Sequence, residues 1–228
     1  ELFSHSMVIM KSKFFPVLVL LLIAKLSFAQ KKVTDATIYY DIVVSTDNNT
    51  PKRADMLDGA TNIVYVKGNL SRSDFISSLG SSSTIFDEKT GTATNIRDYG
   101  NKKFLITYSP GEWKAYNKRY EGVSYTLENE FKQIAGYKCQ KAIGKLSDGT
   151  KFTVFFTKEL IPVNTNFQSI NKGLPGLALQ YDASRGKDKV TFTVSNIEFT
   201  PVPLAKFDIP KTGYRIMSYT EFSKQGAK

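Results

Sequence analysis

The sequence predicts a mainly β protein. The expected architecture is a single curved antiparallel sheet, an open half-barrel, with one short helix over about residues 110–120 packed across it. Three observations point there. Apolar residues recur with period two in run after run, and turns rich in Gly, Asn or Asp separate the runs. Only one stretch carries the signals of a helix. No repeat, linker or composition shift divides the chain beyond residue 29, so 30–228 reads as one domain.

The first strand is the clearest. Ile38, Tyr40, Ile42 and Val44 alternate with Tyr39, Asp41 and Val43. Asp47 to Arg53 is a polar loop. Ile63 to Val66 is a short apolar run that Lys67-Gly68-Asn69 turns towards Leu70 to Ile76. Ser77 to Ser83 is either a loop or a weak strand start. Thr84 to Asp87 leads into a turn at Lys89-Thr90-Gly91. Ile96 to Tyr99 and Lys102 to Tyr108 then face each other across Gly100-Asn101, with glycine first as a type II′ hairpin prefers.

The helix signal is a capping box. Ser109 is the N-cap, Pro110 is N1 and Glu112 is N3. Trp113, Tyr116 and Tyr120 fall on one face behind it, with Lys114, Lys118 and Arg119 on others, and Gly122 is the natural stop. Basic residues among aromatics can bind single-stranded nucleic acid. An amphipathic helix lying on a sheet uses the same residues, and the reading adopted is the packed helix, with no nucleic acid partner.

Tyr125 to Ile134 follows no single period. Tyr137 to Leu146 and Lys151 to Thr157 pair around Asp148-Gly149, the strongest hairpin signal in the chain. Pro175 and Gly176 make Leu174 to Leu177 read as a type II turn. Two leucines flank it, so it is either tucked into a core or faces something apolar. Val190, Phe192 and Val194 alternate with threonines, but Ile197 and Phe199 continue on the threonine face. One extra residue near Ser195-Asn196, a bulge, repairs the parity. Pro201 and Pro203 break the strand. Phe207 to Pro210 and Tyr214 to Tyr219 form a short tail, and Lys224 to Lys228 should fray.

Lys11 and Lys13, the apolar run Phe14 to Ala24 and Ser27-Phe28-Ala29 make a secretory signal peptide cut before Gln30. The protein is therefore expected to be periplasmic or secreted, and not membrane-spanning after cleavage. Residues 1–29 hold three lysines and one glutamate, so 28 basic and 20 acidic residues remain. Cys139 is the sole cysteine, which leaves no intrachain disulfide and makes it a small buried hydrophobe or an intermolecular partner. His5 is the sole histidine and lies upstream of the cut. The mature chain thus lacks the residue that Ser-His-Asp catalysis, Cys-His catalysis and histidine-held metals require. No metal or other cofactor is expected. Asn48-Asn49-Thr50 and Asn69-Leu70-Ser71 match the glycosylation pattern, which is common by chance.

The chain resembles the GLPGLI family of secreted bacterial proteins. The resemblance rests on Gly173-Leu174-Pro175-Gly176-Leu177, on Gly136 to Ala142, and on Phe155-Phe156-Thr157. Phe207-Asp208-Ile209-Pro210 with Gly213-Tyr214 also fits related domains. The sixth motif position, usually isoleucine, is Ala178. The family has no assigned reaction. Its wider similarity, to the periplasmic lipoprotein-carrier (LolA/LolB-like) half-barrel, implies helices over an apolar cavity.

The expected function is non-enzymatic: binding or carrying a lipid or acyl chain in the concave face of the sheet. Trp113 and Tyr116 would form the lid, Phe152, Val154 and Phe156 the floor, and Leu174 and Leu177 the rim. The same seven residues are also what an ordinary core would contain. The alternative is an accessory protein that docks on an outer-membrane partner through a sheet edge or the Leu-Pro-Gly turn, with no small ligand. The carboxylates Glu128 and Glu130, and Asp87 beside Glu88, are the remaining material for an enzyme, but no apolar pocket is evident to tune them.

Overall fold

Twelve strands form one large curved sheet that does not close into a barrel. The computed structural model describes residues 30–45, 59–185 and 188–226. The signal peptide, the loop at 47–53 and the glycosylation pattern at 48–50 lie outside the described residues.

A first meander runs outward from the centre. It comprises β2 (Asp35–Ser45), β3 (Thr61–Lys67), β4 (Leu70–Ser77), β5 (Gly80–Asp87), β6 (Thr92–Tyr99) and β7 (Lys102–Tyr108). A second comprises β8 (Ser124–Ile134), β9 (Tyr137–Lys145), β10 (Lys151–Thr157), β12 (Leu177–Arg185) and β13 (Asp188–Glu198), and it runs inward from the far edge. The two meet at the β2·β13 seam, where Ile42 pairs with Phe192 and Tyr40 with Val194. The chain therefore leaves one side of the sheet after β7 and must reach the other before β8. The crossover carries the helix α1 (Pro110–Tyr116), which packs against β6 and β7.

Most pairings are antiparallel, as expected, but two are parallel. β14 (Arg215–Ser218) adds to β7 at the outer edge. β1 (Lys31–Val33) pairs with β11 (Leu160–Pro162) in a separate two-stranded sheet. Val33 and Leu160 from that small sheet are fully buried with Ile38, Tyr40, Val66, Leu177 and Leu179 in the central core.

The turns obey their glycines. Tyr99 pairs with Lys102 across Gly100-Asn101, and Gly100 has φ +68°. The bulge sits where the parity shift required it: the register slips between Val194 and Asn196, which brings Ile197 opposite Ile38. Ser109 and Glu112 form the full capping box, each accepting the other's backbone N–H, at 3.3 and 2.8 Å. The α-helix stops at Tyr116, with Asn117 as its C-cap, and a 3-10 turn over Lys118–Tyr120 completes the segment.

Several expectations need correction. The serine-rich stretch is neither a loop nor only a strand start: β4 and β5 run through it, joined at Ser78-Leu79. Tyr125 to Ile134 belongs to one strand, β8, whose register breaks between Leu127 and Phe131, and that break hides its period. The C-terminal tail, expected to fray from Lys224, is helical as far as residue 226, and 227–228 lie outside the described residues. After β14 comes α2 (Tyr219–Gly226), opened by Ser218 and Glu221 in a second capping box. The type II reading of the Leu-Pro-Gly turn also fails, because Gly176 has no positive φ; the left-handed residue is Gly173, at φ +95°. Gly176 is needed for a different reason. A Cβ there would overlap the Thr157 carbonyl oxygen, so glycine lets the two backbones touch.

Candidate functional site

The concave face has two characters. Cross-strand register sets Val64, Ser73, Thr84 and Asn95 in one row and Val66, Ser71, Phe86, Ala93 and Tyr108 in the next. Across the seam, on the same face, a separate row runs through Ile42, Phe192, Tyr181, Val154 and Ala142. One half of the floor is thus rich in hydroxyl and amide groups, and the other is aromatic and aliphatic.

Two segments roof this floor. α1 and its 3-10 turn bring Trp113, Asn117 and Tyr120. A second 3-10 segment, Asn166–Asn171, kinks at Gln168 (φ −123°, ψ 70°) and brings Phe167, Gln168 and Ile170. Between roof and floor lies a cavity of about 300 Å³, lined by Val64, Ser71, Thr84 and Phe86 on one side and Tyr181 and Phe192 on the other. A second, of about 480 Å³, shares Phe86, Trp113, Asn117, Tyr120, Asn166 and Ser169 with it. The outer cavity is rimmed by Glu88, Lys114, Glu121 and Lys172. Asn166 ties that rim together: its amide donates to Glu88 and its oxygen accepts from Lys172 at 3.2 Å.

The aromatic walls are held by one another. Trp113 stacks on Phe86, with ring centroids 5.5 Å apart, and meets Tyr108 edge-on at 5.3 Å. Tyr181 stacks on Phe192 at 4.9 Å and meets Tyr40 edge-on. These offset and edge contacts keep large rings in fixed planes around space that they do not fill.

Of the seven residues singled out from the sequence, Trp113 lines both cavities. Tyr116 lines neither; it is 49% exposed and leans on Trp113, Tyr108 and Tyr219. Phe152, Val154 and Phe156 do share a buried cluster, but Tyr120, Tyr125, Ile170 and Leu174 pack on it. They underlie the site without facing the empty space. Leu174 is half-buried on that cluster and Leu177 is fully buried in the central core, so the turn is tucked inward. The cavity also takes residues that the sequence did not place at a ligand site, Phe86, Tyr120, Gln168, Ile170, Tyr181 and Phe192 among them. Period two marked Phe192 along with Val190 and Val194; nothing local marked Tyr181 or Gln168.

The carboxylates singled out from the sequence are engaged in surface ion pairs and turns. Glu128 and Glu130 both contact the Lys141 ammonium, at 3.1 and 2.7 Å, on the β8 edge. Asp87 caps the Lys89 N–H. Cys139 is fully buried, and burial pushes its thiol up to about 12. Among the described residues no group of three His, Cys, Asp or Glu side chains could hold a metal ion, and no helix is long and apolar enough to cross a membrane.

No family model and no curated protein matches the chain. Its fold is similar to solved structures. An uncharacterized conserved protein from Thermus thermophilus aligns with TM-score 0.50 at 12% identity, over 81% of this chain and 90% of that one. PNGF-II aligns with TM-score 0.48 at 10% identity over 85% of this chain, which spans only 33% of that protein's length. MucB aligns with TM-score 0.42 at 9% identity, over 78% and 58% of the two chains. At such identities the likeness is one of fold alone.

Proposed function

We propose that the protein is a non-enzymatic periplasmic binder of an apolar ligand, taking a lipid or acyl chain between the curved sheet and its helical roof. The observation that carries this reading is the pair of adjoining cavities beneath Trp113 and Tyr120. They have the size and lining of ligand pockets: mostly apolar walls with a few placed polar groups. A domain of this length has ample apolar side chains to fill such a space, and rigid aromatic walls hold it open instead. The signal-peptide pattern and the GLPGLI resemblance support the compartment and the carrier class.

Trp113 is the only tryptophan in the chain, so it reports on the site directly. Delipidated protein titrated with an acyl chain brominated along its length should lose Trp113 emission saturably. The unbrominated chain should compete the quenching away. Emission that stays unchanged through the titration overturns the reading.

A further inference from the structure

We infer that the end of the ligand held in the inner cavity is uncharged and bears hydroxyl groups, as in a monoacylglycerol, because the polar groups there are neutral and include free acceptors and free donors. This rests on the ligand-binding reading above and narrows it to a chemical class.

The decisive group is Gln168. Its residue is only 9% exposed, yet it lines the inner cavity at the kink of the roof. Its Nε2 donates to the Tyr40 hydroxyl, which in turn donates to the Ala178 carbonyl at 3.4 Å. Because the Tyr40 proton is committed to that carbonyl, the hydroxyl can only accept from the amide, and this fixes which way the amide points. Gln168 Oε1 is left as an acceptor with no partner among the described residues, on a side chain that faces the cavity.

The floor opposite supplies complementary groups. Thr84 Oγ1 accepts from Asn95 Nδ2 at 2.9 Å, which leaves its own proton to donate. Ser73 Oγ donates to Asn62 Oδ1 at 2.8 Å, which leaves its lone pairs to accept. Ser71 is 4% exposed and its hydroxyl has no partner among the described residues. Arg72 is the one ionised residue in the inner lining, and its guanidinium is held elsewhere. It lies in register with Tyr65 and Ile85, on the opposite face, bonded to Asp74 at 2.6 Å and the Lys206 carbonyl at 2.7 Å.

A carboxylate brought here would lose its water and meet Gln168 Oε1, with no cation to repay the loss. An ammonium would find no anion. A hydroxyl loses little, since it donates to Gln168 and accepts from Thr84 or Ser71. A pair of adjacent hydroxyls can serve roof and floor together.

The test follows Trp113 emission during titration with monodecanoylglycerol and with decanoate, at a pH where the acid is ionised. The monoglyceride should bind at least about tenfold more tightly. Gln168→Leu, checked for retained fold by circular dichroism, should erase most of that preference. Ser71→Ala leaves the Gln168–Tyr40 bond untouched, so it should reduce the preference even where Gln168→Leu fails to fold. Equal or tighter binding of decanoate overturns this inference and leaves the carrier reading standing, as does a preference that survives both substitutions. Binding of neither probe overturns both.

Discussion

Glu112 Oε1 accepts from Thr220 twice, from its hydroxyl at 2.6 Å and its backbone N–H at 3.1 Å, while Oε2 caps the N-terminus of α1 at Ser109. One carboxylate therefore serves the first turns of both helices, α1 over the cavity and α2 at the outer edge. Tyr108 packs between them, stacked on Tyr219 at 4.8 Å.

The Thr220 hydroxyl, with the Ser109 groups next, holds the Glu112 carboxyl down at about 2, below its ordinary 4.5. A carboxyl depressed in this way stabilises the folded state fully above its ordinary value. The contribution fades as pH falls from there through about 2. Thermal melts of wild type and Glu112→Gln should therefore differ most near neutrality and converge over that acid window. A gap that is constant with pH would show that the carboxylate is not the link.

Gly176 and Leu177 should dominate the stability of the Leu-Pro-Gly motif. Gly176→Ala forces a methyl group into the Thr157 carbonyl and should cost about 2 kcal/mol or more. Leu177→Ala empties a fully buried site and should cost about 3 kcal/mol. Pro175 is exposed, and its replacement by alanine should cost less than either. Urea denaturation of the three variants checks the order.

The bulge predicts which deletion the protein tolerates. Val194 pairs with Tyr40 and Asn196 with Tyr39, so Ser195 is the unpaired extra residue. Its deletion straightens β13 while every side chain keeps its face, and the unfolding midpoint should move little. Deletion of Thr191, in the regular part of the strand, turns the residues on one side of it to the wrong face and should abolish folding. Expression and circular dichroism of the two deletions decide.

Cys139 should be inert in the native protein. Its thiol is buried and its pKa is pushed up to about 12, so thiolate is scarce at ordinary pH. Labelling by a thiol reagent should proceed only as fast as the protein opens, and should become rapid in denaturant. Fast labelling of the native protein would contradict the buried position.

Local signals were read well from the sequence. The Ser109 capping box, the Gly100 hairpin and the Ser195 bulge each depend on a few neighbouring residues. The same Ser-x-x-Glu pattern recurs at Ser218 to Glu221 and marks α2, but a short C-terminal stretch with little apolar content did not draw attention to it. What could not be read was long-range. β14 joins β7 in parallel from far along the chain, and β8 conceals its period behind a register break. Above all, the cavity depends on which strands meet at the β2·β13 seam. Only that seam brings Tyr181 and Phe192 opposite Ser71 and Thr84, and only the chain path over it puts Gln168 above them. Of the seven candidate residues, Phe152, Val154, Phe156 and Leu177 are buried core, and the space lies beside them, under Trp113.

The seam also sets the order of assembly. Each meander consists largely of hairpins between near neighbours, whose loops close at little entropic cost. The pairing of Tyr40 with Val194 closes a loop that contains nearly the whole domain. The two meanders should therefore form early and independently, and the rate-limiting step of folding should be their union along β2 and β13. Substitutions in the seam, such as Phe192→Leu, should slow refolding, whereas those in the outer hairpins should mainly speed unfolding.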